Sequence, residues 1–340
     1  MVPEMQGHLT PASPQVSVVI PSYNRAALLP RAITSVLAQT FCDLECIVVD
    51  DGSTDQTTQV VAGFQDPRLR MVRLPGNGGY SRANNIGIRL ARGELIAFLD
   101  SDDEWQPEKL ERQVARLREC GDPRATVVYC RCTVRDALSG RIWRRPHTVY
   151  EGDVFRRLLE GWHPTTPSLL LVDRRSLLEV GGFSESLPCA QDYDLWLRLA
   201  EAAYRFVATD EVLVIKHEYN SDQMSDDPTA PARAGEILDR RCGPVIRRHL
   251  GWVGYRRWRR RRWGIVQWAY FRSIKIATAH GRRTEAWRYW VRMCRLLPYS
   301  MRYVCSAFLM MVLGFRRYYL LVHAVDTVRR NVHRPQSVTT

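Results

Sequence analysis

The chain lacks several things that would assign it quickly. Its opening fifteen residues, MVPEMQGHLTPASPQ, carry no basic cap and no apolar core, so they are expected to be a flexible lead, neither a signal peptide nor an anchor. The apolar run from Tyr303 to Phe315 stops at Arg316 and Arg317, well short of the ~20 residues that a helix needs to span a bilayer. The nine cysteines are odd in number and scattered, which argues against a disulfide framework or a thiolate metal site and for free thiols in a reducing compartment, hence a cytoplasmic protein. No GxGxxG follows the first apolar strand; PSYNR stands there instead, which weakens a nicotinamide-dependent dehydrogenase. Acid is nearly missing from one end. Residues 240–340 hold 23 Lys and Arg against 2 Asp and Glu, net +21, whereas residues 1–239 hold 26 against 34, net −8.

That asymmetry implies two parts with different partners, the second drawn to something anionic. A length of 340 residues suits one α/β domain of about 200 to 250 residues with an appendage. In the first part, apolar strands alternate with helices of 3.6-residue spacing. Val16 to Ile20 is followed by Ala26 to Gln39, Glu45 to Val49 by Thr57 to Phe64, Leu69 to Arg73 by Ser81 to Ala91, and Leu95 to Leu99 by Pro107 to Glu119. Such βα alternation predicts a mainly parallel sheet flanked by helices. From Thr126 the pattern is less regular, with short strands at Thr126 to Cys130, Ser168 to Val172, Phe206 to Ala208 and Val212 to Ile215 mixed with helices. A polar stretch rich in Asp, Ser and Pro then reads as a linker. The expected organisation is a lead (1–15), a nucleotide-binding half (16–125), an acceptor-binding half (126–220), a linker (221–235) and a basic, aromatic-rich helical region (236–340).

Each early strand ends in turn residues or carboxylates: PSYNR (Pro21 to Arg25), VVDDGSTD (Val48 to Asp55) and FLDSDD (Phe98 to Asp103). An open α/β sheet builds its ligand site along such carboxyl ends. Tyr23 could stack on a nucleobase and Asp51 could accept a hydrogen bond from its imide edge. Asp100 and Asp102, two apart at a strand end, can lie on one side and share a hard cation such as Mg²⁺ or Mn²⁺ through oxygen. Read without function, PSYN and DDGS are turn formers, and Asp102 and Asp103 favour the start of the helix opened by Pro107.

Together VSVVIPSYNR, VVDDGSTD, NGGYSRANNIGI, FLDSDDEWQPEKL and GGFSESLPCAQDYDLWLR resemble family 2 glycosyltransferases with a GT-A, Rossmann-like fold, over roughly residues 16 to 220. The resemblance implies an inverting sugar transfer from a nucleoside-diphosphate sugar, assisted by Mn²⁺ or Mg²⁺. It carries over nucleotide contacts to Pro21, Tyr23, Arg25, Asp51 and Asp100, and metal contacts to Asp102 and, more weakly, Asp103. Asn84 and Asn85 stand where the family often has an Arg-Asn pair, with Arg82 one turn earlier as a source of the lost charge. The catalytic base of the family's ED motif falls on Asp192, whose preceding glutamate is replaced here by Gln191; a carboxylate capping a helix start would read the same way. His217 falls where related enzymes bring a histidine toward the diphosphate or metal, and is otherwise a lone polar residue. The QxxRW motif and the membrane spans of processive synthases are not found, so transfer of one or a few sugars is expected.

Downstream, YRRWRRRRWGIVQW (Tyr255 to Trp268) interleaves arginine with tryptophan, and Trp287, Tyr289 and Trp290 continue the theme. Such helices suit an anionic membrane surface, which would place the protein at the inner face of the cell membrane beside a glycan or lipid-linked glycan acceptor. A helical hairpin packed on the catalytic domain is the next reading. Nucleic acid is the least supported partner, because no recognised motif accompanies the arginines. The rival from another class is a non-catalytic nucleotide-sugar-binding or membrane-associated scaffold protein.

Overall fold

The computed structural model describes residues 13–137, 140–144, 148–164, 166–218, 229–295 and 301–314. Most of the lead (1–12) and of the linker (221–228) therefore lies outside the described residues, as does Phe315. The chain divides into two compact units, Met1–Ser186 with Ala190–Asn220, and Ser221–Thr340 with Leu187–Cys189.

The first unit is built on one sheet. Strands β1 (Val16–Ser22), β2 (Leu44–Asp50), β3 (Leu69–Arg73) and β4 (Leu95–Phe98) run parallel. β1 and β2 are buried along their whole length, because helices cover both faces of a parallel sheet, and Ser17 and Glu45 within them are hydrogen-bonded to each other (2.6 Å). Helix α1 (Leu29–Leu37) follows β1, α2 (Thr57–Ala62) follows β2 and α3 (Tyr80–Leu90) follows β3. α1 begins at Leu29, later than the apolar spacing predicts, since Pro30 occupies its first turn where a missing N–H costs nothing. α3 lies close on β1: a Cβ at Gly87 would collide with Val19 Cγ1.

The second half makes the sheet mixed. β4 pairs antiparallel with β8 (Leu170–Asp173), β8 antiparallel with β6 (Thr126–Asp136), and β6 parallel with β9 (Arg205–Glu218), so the order, ending on β5 (Glu104–Trp105), is β3-β2-β1-β4-β8-β6-β9-β5. β5 pairs with β9, β7 (Ile142–Arg144) pairs with β6, and α4 (Lys109–Glu119) covers this half. β9 is one strand where two short ones are predicted. Its apolar run breaks at Asp210 and Glu211, exposed residues in a register shift against β6, where extra residues leave the ladder without ending it. Short helices α5 (Phe155–Leu159) and α6 (Arg174–Glu179) precede α7 (Gln191–Glu201).

The second unit is helical: α8 (Ala230–Ala279), α9 (Arg283–Cys294) and α10 (Met301–Leu313). α8 is two helices joined at Gly251, whose φ of 66° and ψ of −175° are not helical. It starts at Ala230, inside the segment that composition marks as linker, because Pro231 fits a first helical turn. Ile274, Ala277, Ala286, Met293, Val304, Ala307 and Met310 form its core.

Candidate active site

The loops after β1 and β2 are knitted together. Asn24, with a left-handed φ of 52°, accepts from the backbone N–H of Thr54 (2.8 Å), and Asn24 N–H donates to Ser53 Oγ (2.9 Å). Pro21 is buried in β1, Arg25 donates its backbone N–H to Thr57, and Tyr23 is 40% exposed beside them, so its ring is open to a ligand. Asp51 is buried, and its two oxygens accept from Gly78 N–H (2.9 Å) and Gly79 N–H (2.7 Å). It thus fixes the turn that starts α3, and any contact to a base must use the remaining lone pairs of the same carboxylate. The Arg82 side chain folds back over Gly78. Asn84 donates to Tyr80 O and keeps a buried Oδ1 with no partner among the described residues, whereas Asn85 is spent on the Phe183 backbone and Glu185.

At the end of β4 the FLDSDD turn is held from two sides. Asp100 Oδ1 accepts from Tyr80 Oη (2.8 Å) and its Oδ2 from Thr166 Oγ1 (2.7 Å), while its N–H donates to Ser168 Oγ (3.0 Å). Ser168 Oγ also donates to Asp103 Oδ2 (2.7 Å), and His217 N–H approaches Asp103 Oδ1 (3.4 Å). Asp102 is different. Its carbonyl accepts from Arg31 (2.6 Å), but its carboxylate takes no hydrogen bond from another described residue.

Asp192 opens α7, where its Oδ1 accepts from Tyr193 N–H (2.7 Å). Ala190 before it is in the left-handed region at φ 59°, which aims the helix start. The next carboxylate, Asp194, is structural: it binds Arg198 (2.8 Å), which in turn donates to the carbonyls of Val180 and Gly182 and so locks the turn against α7. Gly182 has φ +64°, and a Cβ there would strike Asn85 Oδ1, so the position requires glycine.

Electrostatics separate the two kinds of carboxylate. Burial raises the pKa of Glu45, but Ser17, the Arg92 backbone and Arg70 outweigh it, and the net effect is lowered. Burial instead prevails at Asp102 and Asp103, aided by Asp100, and pushes Asp103 up to about 7. Asp192 is also raised, by burial and then by Asp100, against His163 and Lys216. Carboxylates whose proton affinity stays raised although Lys216 stands among them are candidates for a functional site. Burial likewise pushes the Tyr80 phenol well up, reinforced by Asp100 and Asp192, so it remains a donor.

Lys216 is the cation of this site and was missed in the sequence. Burial disfavours its charge, yet Asp103, Asp100, Asp102 and Asp192 together raise its pKa. Its neighbour on β9, His217, points to the other face, as alternation requires. There its Nε2 meets Glu104 Oε2 (3.2 Å), and burial with the nearby Arg31 guanidinium lowers its pKa. Tyr80, Thr166 and Ser168 were missed as well. The one available signal was an aromatic directly after NGG.

Residues 17–181 match the model of glycosyl transferase family 2. An uncharacterized glycosyltransferase of Rickettsia typhi is 32% identical over 223 residues, 63% of this chain and 67% of that protein. The chain belongs to this family. It is also similar to a Rickettsia felis glycosyltransferase, 34% identical over 62% of this chain and 35% of that one, and to the succinoglycan biosynthesis protein ExoO of Rhizobium meliloti, 45% identical over 32% and 31%. It spans about a third of the length of the first curated relatives it matches. S. aureus TarS 1–349 in complex with UDP-GlcNAc shares the fold, with a TM-score of 0.54 at 19% identity over 87% of this chain and 91% of that one.

Proposed function

We propose that the chain transfers a sugar from a nucleoside-diphosphate sugar to an acceptor hydroxyl with inversion, Asp192 acting as general base. The observation that carries this reading is that Asp192 shares one electrostatic neighbourhood with Asp100 and Lys216, from the start of α7 and the ends of β4 and β9. Asp192 takes the acceptor proton, the acceptor oxygen bonds to the anomeric carbon, and the bond from that carbon to the diphosphate breaks. A single in-line displacement inverts the centre. Its raised pKa suits a base, because proton transfer is most efficient when the pKa approaches the working pH.

Pro21, Tyr23, Arg25, Asp51, Arg82, Asn84 and Asp100 line the nucleotide side in this reading. The remaining oxygens suit Mn²⁺ or Mg²⁺. Among the described residues no three His, Cys, Asp or Glu side chains form a ready cage, but such cations are commonly held by one or two carboxylates completed by substrate phosphates. Asp102, with its unengaged carboxylate, is the fitting ligand. Asp103 and His217 are secondary, the first because both its oxygens are engaged and the second because its ring meets Glu104. When bound, the cation would offset the charge of the departing diphosphate. Lys216 is placed to help on the protein's own account.

A glycan or lipid-linked glycan acceptor, a cytoplasmic location and contact of the basic helices with the inner face of the cell membrane complete the proposal. Among the described residues no helix is long and apolar enough to cross a membrane. The test is release of nucleoside diphosphate from a panel of nucleotide sugars, with Mn²⁺ or Mg²⁺ and with chelator, for wild type and Asp192→Asn. Metal-dependent turnover by wild type alone supports the transferase. Tight donor binding without turnover, even with membrane extracts as acceptor, favours the binding protein that the Gln191 replacement leaves as the rival.

A further inference from the structure

Helices α9 and α10 are apolar on two sides. Their inner side is consumed by the core: Ala286, Met293, Val304, Ala307 and Met310 are buried with Ile274 and Ala277 of α8. Their outer side carries Trp287 and Val291 on α9 and Phe308, Leu309 and Val312 on α10, each between 39% and 60% exposed. The spacings of four on α9 and of three and four on α10 put these residues on one stripe of each helix. The two stripes join. Trp287 and Phe308 have ring centroids 6.2 Å apart, Trp290 and Phe308 5.6 Å, and Trp290 Nε1 donates to Val304 O (3.2 Å), which fixes one helix to the other. Isolated exposed apolar residues need no account, but a contiguous aromatic patch marks an interaction surface.

The border of the patch is cationic. Arg288 and Arg292 lie on the same turns of α9, exposed, and the only acid on the two helices, Glu285, is already bound by Arg282 (3.0 Å) and Tyr289 (3.0 Å). This charge selects the occupant. A two-fold contact with a second copy would bring the arginine rims together, because the same patch faces itself. An anionic lipid surface satisfies both parts, with the aromatics in the headgroup and acyl boundary and the guanidinium groups on phosphate. At 12 and 13 residues, helices about 20 Å long are too short to span a bilayer and fit lying on it.

We infer that the outer face of α9 and α10, made of Trp287, Val291, Phe308, Leu309 and Val312 within an arginine rim, docks this protein on an anionic phospholipid bilayer. This rests on the membrane contact proposed above and assigns it to a surface other than the arginine-rich stretch of α8. The experiment is flotation of the full chain with vesicles of phosphatidylcholine alone or with phosphatidylglycerol added. Wild type is expected to float with the anionic vesicles and to be released by salt. Val291→Glu with Val312→Glu, both at exposed positions and checked by circular dichroism, should weaken binding at least about tenfold. Arg288→Gln and Arg292→Gln should each weaken it about fivefold and flatten the salt dependence.

Binding by Val291→Glu/Val312→Glu equal to that of wild type would overturn the assignment. So would a concentration-dependent dimer of wild type that this double variant abolishes, since the face would then belong to a second copy. Nucleoside diphosphate release from a water-soluble donor, measured without vesicles, reports on the active site separately. A chain that floats through this face but turns over no donor upholds the patch and overturns only the catalytic reading.

Discussion

Asp103 and Arg260 are both ionisable, and the fold treats them in opposite ways. Asp103 is 1% exposed, its oxygens are met by Ser168 and His217, and burial shifts its proton affinity far from the ordinary range. Arg260 is exposed, with no ion pair among the described residues, in a row with Arg256, Arg257 and Arg261. The first unit concentrates a few charges at strand ends and holds them by hydrogen bonds from distant segments, as chemistry on one bond demands. The second spreads many charges over helix faces, pairing some of them, as Arg259 with Asp239, and leaving the row around Arg260 without an ion pair among the described residues, as a diffuse anionic partner allows.

The strongest way to break this comparison is at Asp192. Asp192→Asn is expected to lower kcat by about 10²- to 10⁴-fold, the usual worth of a general base, with no loss of thermal stability because a half-buried charge that Asp100 disfavours is removed. Equal turnover by the variant would make the concentrated charge structural, like that of Glu45. The pH profile sharpens the same point. A base must be deprotonated, and the Asp192 pKa is raised, so the acid limb of the rate should lie above the ordinary aspartate value of about 3.9. Activity should fall as pH drops through that limb. A limb at or below the ordinary value would remove Asp192 from the role.

Next in size is Ser168→Ala. Ser168 Oγ links Asp100 N–H to Asp103, and its loss leaves a buried carboxylate short of a donor. The cost should be about 1 to 3 kcal/mol in unfolding free energy, read by denaturant titration. The Mn²⁺ concentration for half-maximal rate should rise about 10- to 100-fold, as for loss of a residue that orients a metal ligand. Loss of stability with an unchanged Mn²⁺ requirement would confine Ser168 to a structural part.

Ser168 also shows where reading the sequence stops. The strands β1 to β4 are legible because a parallel sheet covered on both faces forces continuous apolar runs, and because each run ends in Asp, Asn, Gly or Pro at the site edge. Asp100, Asp102 and Asp192 are legible for the same reason, as polar residues where an element starts or stops. Tyr80, Thr166, Ser168 and Lys216 are not, since each acts through a partner far away in the chain. Lys216 follows the apolar run Val212 to Ile215 and precedes His217, a residue type with a stronger functional signal of its own. The face each residue takes depends on the register of β9 past its bulge, which no local pattern reveals.

Lys109 tests burial of charge away from the chemistry. It is fully buried, bonds Gln113 Oε1 (2.7 Å) and lies 3.8 Å from the Trp105 ring centroid, with its pKa lowered by burial to about 8. The unfolded chain therefore holds more protons than the native one between about pH 8 and 10.4, and stability should rise with pH across that window. Below pH 8 the cost of the buried cation is fully present. Lys109→Met should remove this slope, a difference on the order of 1 to 3 kcal/mol between pH 7.5 and 10, measured by urea unfolding at each pH. Parallel curves for the two proteins would mean that the ammonium is not desolvated.

The smallest effect should come from the largest change in charge. Arg256, Arg257, Arg260 and Arg261 fall at i, i+1, i+4 and i+5 of one helix, so Arg256 faces Arg260 and Arg257 faces Arg261, and each like-charged pair destabilises the helix by about 0.2 to 0.5 kcal/mol. Replacing all four by Gln, a comparable helix former, removes that repulsion and no ion pair among the described residues. Unfolding free energy should then change by less than about 1 kcal/mol in all, the worth of the two pairs, and in the stabilising direction if at all. Four charges would be lost for less than the removal of a single hydroxyl at Ser168. A drop of several kcal/mol in the same titration would show that these arginines hold an acidic surface of the protein itself, and the contrast between fixed and diffuse charge would fail.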